Sequence, residues 1–167
     1  MTVAEELENT MTAKLDEVYA AGRTRGKKRL REYATGAITE IKAEDIEGAT
    51  TIIAYGFYAR KNLKSVELPN TVISIQTAAF RACSSLEFVK IPQSVLTIGD
   101  QSFYGCTRLE TVVVEREMPT YNFYVGAFEG CKALKRIIVP KGSLERYKEA
   151  ANWSAYADIM EEAAEYF

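Results

Sequence analysis

Apolar positions recur along this chain with a period much longer than that of a helix or a strand. The segments YGFYARKNLKSVELP, AAFRACSSLEFVKIP, QSFYGCTRLETVVVE and GAFEGCKALKRIIVP align without gaps, so four copies of one unit are present. The shared Phe stands at Phe57, Phe80, Phe103 and Phe128, and the shared Leu at Leu63, Leu86, Leu109 and Leu134, at spacings of 23, 23 and 25. A two-residue insertion therefore lies between the third and fourth copies. Five residues ahead of each Phe comes another apolar position, at Ile52, Ile75, Ile98 and Phe123, which carries the period through the links.

After each Leu the pattern alternates. Val66 and Leu68, Val89 and Ile91, Val112 and Val114, and Ile137 and Val139 share one face, which predicts a short strand buried on one side. Pro69, Pro92 and Pro140 follow at once; they cannot donate to a ladder and stop the strand, whereas the third copy has Glu115 there. The runs TVISI and SVLTI then place Val72 with Ile75, and Val95 with Ile98, toward the interior before the next turn. A unit of about 23 residues cannot enclose its own apolar face, but units stacked at about 4.8 Å per strand share a continuous core, so the expected architecture is a β-rich α/β solenoid. Gly56, Ala79, Ser102 and Ala127 precede the core Phe, as if a neighbouring rung's backbone excluded a larger side chain there.

The pattern AFxxCxxLxxVxIPxSVxxI, nearly complete from Ala79 to Ile98, resembles the BspA-like leucine-rich repeat family of bacterial surface and host-interaction proteins, and the resemblance covers about half the chain. It implies a right-handed leucine-rich repeat solenoid of about four 23-residue repeats that binds proteins or cell surfaces and is not an enzyme. The closing segment VPKGSLERYKEAANWSAYADIMEE resembles the short helices that cap the last rung in such proteins. A second and looser resemblance is to leucine-rich repeat proteins encoded in bacterial prophages, where an N-terminal helix precedes the binding domain.

A solenoid leaves an unpaired rung at each end, which invites edge-to-edge pairing unless it is covered. The expected division is an amphipathic helix and basic linker over 1–36, an N-terminal cap over 37–51, the solenoid over 52–142 and a C-terminal helical cap over 143–167. In the C-terminal cap Ser143 is placed as the N-cap of a helix running through Leu144, Tyr147 and Ala151, with Trp153, Tyr156 and Ile159 over the last rung. Ile38, Ile41 and Ile46 read as a degenerate first rung. Residues 2–22 read as a helix with Val3, Leu7, Met11, Leu15 and Val18 on one stripe, which buries itself either on its own solenoid or against copies of itself. Leu7, Met11, Leu15 and Val18 are thus the candidate oligomerisation residues, and the competing reading of the whole chain is a structural, prophage-derived subunit assembled through them.

Composition narrows the chemistry. The chain has 167 residues with no His, which removes Ser-His-Asp and Cys-His nucleophile pairs and HExxH zinc sites. No glycine-rich phosphate loop, nucleophile elbow or metal-ligand spacing is present, so no catalytic residue, metal or cofactor is expected. No apolar run approaches the roughly 20 residues of a membrane span. The start MTVAEELENTM is acidic where a secretory signal is basic, so the expected compartment is cytoplasmic or virion-associated unless export takes another route. Six basic residues from Arg23 to Arg31 read as a solvated linker offsetting the acidic helix before it, rather than as a nucleic-acid site.

Three further features carry candidate chemistry. Cys83, Cys106 and Cys131 occupy one place in successive copies and should form a column; their odd number and the absence of a CxxC pair favour packing over disulfides or metal. Phe88, Val113 and Ile138, with Lys90 beside them, fall on the outward face of the main strands and form a partner-binding patch unless the N-terminal helix covers it. The inserted segment EREMPTYNFYVG carries Tyr121 and Tyr124, which are candidate partner-binding residues, with sugar stacking weighed against folding back over the core.

Overall fold

The computed structural model describes residues 38–120 and 122–165. The expected helix over 2–22 with Leu7, Met11, Leu15 and Val18, the basic run and Tyr121 lie outside the described residues.

The alternating segment after each shared Leu forms a strand of one sheet, and the brief apolar run before each shared Phe forms a strand of a second. In chain order the strands are β1 (Glu40–Ile41), β2 (Thr51–Ile52), β3 (Ser65–Glu67), β4 (Ser74–Ile75), β5 (Phe88–Ile91), β6 (Thr97–Ile98), β7 (Thr111–Val114), β8 (Asn122–Phe123), β9 (Arg136–Val139) and β10 (Met160–Glu162). They build a six-stranded sheet, β1-β3-β5-β7-β9-β10, and a four-stranded sheet, β2-β4-β6-β8. All pairings are parallel and in register: Val66 lies opposite Val89, Val89 opposite Val112, and Val112 opposite Ile137. The four-stranded sheet aligns Ile52, Ile75, Ile98 and Phe123 in the same way. The chain thus coils through both sheets once per repeat, and the core lies between them.

That core is a set of columns, each contributed by one position of the repeat. Phe57, Phe80, Phe103 and Phe128 are buried and stack ring on ring, with centroids 5.1, 5.2 and 5.3 Å apart. Ring spacing close to the strand spacing of about 4.8 Å means that every rung supplies one ring to an unbroken pile. Where Pro69 and Pro92 end their strands, the third copy behaves differently, because the Glu115 N–H donates to the Ile91 carbonyl at 2.9 Å and prolongs the ladder by one bond.

The turns impose their own demands. Ala59, Ala82, Gly105 and Gly130 occupy one column with φ of 55, 62, 70 and 75°, a left-handed conformation that costs alanine about 1 kcal/mol and glycine nothing. Gly56 needs its missing Cβ for a reason other than the expected one. The nearest atoms are the carbonyl and side chain of Ile53 in its own turn, at 3.2 and 3.3 Å, and not the backbone of a neighbouring rung. The close approach between rungs occurs at Gly99, where a Cβ would lie 2.7 Å from the Thr77 nitrogen and 2.8 Å from the Gln76 carbonyl carbon. Backbone atoms cannot swing aside, so Gly99→Ala is expected to cost about 1 to 3 kcal/mol. Urea unfolding checks this, and a midpoint unchanged from wild type would show that the rungs separate at no cost.

The last rung is closed by a short α-helix, α1 (Leu144–Glu149), and a 3-10 helix over Trp153–Ile159. Two details depart from the sequence reading. Ser143 sits at the N-cap position of α1 but makes no side-chain cap; the Glu162 carboxylate accepts the Gly142 and Leu144 N–H groups instead, at 3.0 and 3.3 Å, and α1 stops at Glu149, short of Ala151. That carboxylate arrives on β10, a strand the sequence reading did not foresee, since MEE has no alternation long enough to show one. β10 pairs with β9 through Met160 opposite Ile137 and Glu162 opposite Val139.

The cap works by continuing the core columns and occupying the open carbonyls. Trp153 stacks on Phe123 at 3.9 Å, Tyr147 meets Trp153 edge-on at 5.0 Å, and Tyr156 meets Phe128 edge-on at 5.8 Å. Asn152 Nδ2 donates to the Phe123 carbonyl at 2.7 Å, the Tyr156 hydroxyl to the Val125 carbonyl at 2.8 Å and the Tyr147 hydroxyl to the Arg116 carbonyl at 2.8 Å. Burial pushes the Tyr147 and Tyr156 hydroxyls above the usual tyrosine range, so both stay protonated donors at neutral pH.

Candidate functional site

The outward residues of the six-stranded sheet form two rows. Ser65, Phe88, Thr111 and Arg136 make one, and Glu67, Lys90, Val113 and Ile138 the other, each residue directly opposite the next. Lys90, Val113 and Ile138 are therefore brought together on consecutive strands, with Phe88 two residues away on the same face of β5. The side chains are not equally open. Phe88 and Ile138 are half-buried, and Val113 is only 8 % exposed, so the fully open patch expected from the alternation is a shallower one. Val113 has an in-register neighbour on each side, Lys90 and Ile138, and side chains opposite one another on adjacent strands stand close enough to screen the one between them.

Charge borders this apolar centre. Lys90 Nζ lies 2.8 Å from Glu115 Oε1, and Arg136 pairs with Glu161 of β10 at the far edge. The Arg136–Glu161 pair is about half exposed on both sides, and a pair of this kind contributes little to stability, whereas the Glu115 carboxylate is largely buried.

Tyr124 does not join this group. It follows β8 of the four-stranded sheet, is 53 % exposed rather than folded over the core, and its N–H donates to the Ile98 carbonyl at 3.2 Å. Beside the four-stranded sheet the structure reveals apolar residues that sequence reasoning passed over: Ile73 and Leu96, 48 and 46 % exposed, occupy equivalent places in successive rungs, with the Leu96 N–H donating to the Ile73 carbonyl at 2.8 Å. The signal was present, because both sit between two inward residues of TVISI and SVLTI, but a three-residue spacing hides which side chain of such a run turns outward.

The cysteine column has a specific geometry. Cys83, Cys106 and Cys131 are all free thiols, and each sulfur lies against the carbonyl of the shared Phe one rung earlier: Cys83 Sγ to Phe57 O at 3.0 Å, Cys106 Sγ to Phe80 O at 3.2 Å and Cys131 Sγ to Phe103 O at 3.1 Å. A small side chain that packs in the column fits this place, and the thiol adds a second donor to the Phe80 and Phe103 carbonyls, which also accept the Cys83 and Cys106 N–H groups at 3.2 Å. The neighbouring Cys131 and Cys83 thiols, followed by burial, push the Cys106 thiol far above the usual cysteine range. The neighbouring Cys106 thiol lowers Cys131, against that residue's own burial.

Among the described residues no group of three or more His, Cys, Asp or Glu is arranged to hold a metal ion, and no helix is long and apolar enough to cross a membrane.

Comparison with known proteins matches these features. The family model described as BspA type leucine rich repeat region (6 copies) matches residues 33–154. The chain is similar to the crystal structure of a leucine-rich repeat protein from Bacteroides ovatus, with 27% identity and a TM-score of 0.52, over 70% of this chain and 29% of that one. It is similar to that of a leucine-rich repeat protein from Eubacterium ventriosum, again with 27% identity and a TM-score of 0.53, over 64% of this chain and 27% of that one. The chain thus spans less than a third of the length of either bacterial protein. No curated protein sequence matches it. With its Phe, Leu and Cys columns and two parallel sheets, the chain belongs to the BspA-type leucine-rich repeat family.

Proposed function

We propose that the chain is a non-catalytic recognition module that binds a protein partner, such as one displayed on a cell surface, through the outer face of the six-stranded sheet. We read its coil as right-handed, the hand that parallel crossovers almost always take. The observation that carries the proposal is the row Lys90, Val113 and Ile138 with Phe88 beside it, an apolar centre bordered by the Lys90–Glu115 and Arg136–Glu161 pairs. Protein interfaces combine such a centre with a charged rim. Aromatic and aliphatic anchors at the middle of a patch supply most of the binding energy.

A second face is supported by a separate observation, the greater exposure of Ile73 and Leu96 beside the four-stranded sheet. The two are separated by comparing Phe88→Ser with Ile138→Ser against Ile73→Ser with Leu96→Ser, each pair as a double variant. Immobilised protein is exposed to solubilised cell-surface proteins, and the proteins retained are quantified by mass spectrometry. Loss of retained proteins by the first double variant, with an unchanged melting temperature, is the expected result. Retention unaffected by the first and abolished by the second would transfer the site to the four-stranded side. Retention indifferent to both would remove the sheet faces from consideration.

A further inference from the structure

We propose that Cys106 and Cys131 are a redox pair, with Cys131 the oxidant-facing thiol and Cys106 the resolving one, closing into a disulfide between adjacent rungs when the chain meets a hydroperoxide. Three observations of geometry carry this. The rungs bearing the two cysteines are held together by the Phe103 N–H to the Ala127 carbonyl at 2.8 Å and the Gly105 N–H to the Glu129 carbonyl at 2.9 Å, within four residues ahead of each cysteine. In-register rungs about 4.8 Å apart fall within the Cα separation of about 4.4 to 6.8 Å that a disulfide spans. A Cβ on Gly130, next to Cys131, would sit 3.3 Å from the nitrogen of Gly105, next to Cys106, so the two rungs run close together beside the pair.

Access distinguishes the partners. Cys83 and Cys106 are fully buried, while Cys131 at the end of the column is only partly so, and an oxidant reaches the column there first. The neighbouring Cys106 thiol lowers Cys131, which favours the thiolate at that same exposed end.

The chemistry balances in two steps. The Cys131 sulfur attacks the outer oxygen of the hydroperoxide and the O–O bond breaks, giving a sulfenic acid at Cys131 and releasing an alcohol, or water from hydrogen peroxide. Sulfur is oxidised and the peroxide reduced by two electrons. The Cys106 sulfur then attacks the Cys131 sulfur, the S–O bond breaks, and the hydroxyl leaves as water with the Cys106 proton. Both thiol donors to the Phe80 and Phe103 carbonyls are withdrawn in the product.

The test treats the full chain with hydrogen peroxide under native conditions, blocks the remaining thiols with N-ethylmaleimide, and maps the digested peptides by mass spectrometry. The expected product is a monomer lighter by two hydrogens, with the Cys106 and Cys131 peptides linked and Cys83 alkylated, and it is reversed by dithiothreitol. Cys83→Ala should leave that product intact. Cys106→Ala, once circular dichroism shows it folded, should divert Cys131 to sulfinic and sulfonic acid. A Cys83–Cys106 link, a dimer linked through Cys131, overoxidised Cys131 beside a reduced Cys106 in the wild type, or three unreacted thiols would each overturn the proposal. The wild-type map alone decides the matter if Cys106→Ala does not fold.

Discussion

Truncating Phe103 to Ala is expected to lower the unfolding free energy by about 3 to 5 kcal/mol, the range for removing a buried aromatic ring whose surroundings cannot collapse. Collapse is blocked here by the repeat itself. Phe103 lies between Phe80 at 5.2 Å and Phe128 at 5.3 Å, and its backbone carbonyl and N–H are fixed to Cys131 Sγ and to the Ala127 carbonyl, so the rungs on either side cannot close over the gap without breaking their own ladder. For a chain of this size each kcal/mol corresponds to about 2 to 4 °C in melting temperature. The single Trp of the sequence, Trp153, is buried against Phe123 and gives a fluorescence signal for the measurement. A variant melting at the wild-type temperature would mean that the Phe column does not hold the rungs together.

Removing Trp153 itself should be comparably severe, again about 3 to 5 kcal/mol, with a different signature. Trp153 is fully buried, it lies face to face with Phe123, and its Nε1–H donates to Thr120 Oγ1 at 3.3 Å. Trp153→Ala would expose the end of the aromatic column and the carbonyl edge beside it, so the variant should both melt early by circular dichroism and self-associate in light scattering. Trp153→Phe keeps a ring over Phe123 but not the donor, and should recover most of the loss. If Trp153→Ala stayed monomeric and fully stable, the cap would be an ornament to the solenoid and not its closure.

Much of the fold was legible because the repeat states each column several times over. A Phe at one position is ambiguous; the same Phe at four positions, each with Leu six residues on, fixes the register, and the two sheets follow from alternation after the Leu and a brief apolar run before the Phe. Legibility failed where a feature occurs once. β10 is a three-residue strand with no copy to compare it with, and its pairing depends on the 3-10 helix over Trp153–Ile159 delivering the chain to the edge of β9. Glu162 caps α1 from a distance in sequence that no local motif encodes, so Ser143 looked sufficient. At the candidate surface, alternation gave the correct side for Phe88, Lys90, Val113 and Ile138 but not the degree of burial, which depends on what stands on the neighbouring strands. The exposure of Ile73 and Leu96 depends on the turn geometry around them, which periodicity does not report.

The donors that the cap directs at the last rung also bear on how such a chain can change length. Asn152, Tyr156 and Tyr147 occupy the Phe123, Val125 and Arg116 carbonyls, so a new repeat joined directly behind this rung would find its docking positions taken. Between Ile75 and Ile98, by contrast, successive turns pair in parallel and in register, and duplication of one such stretch would present the same upper and lower faces as before. A repeat inserted in the middle of the solenoid thus meets complementary faces on both sides, whereas one placed directly behind the last rung competes with the cap's donors.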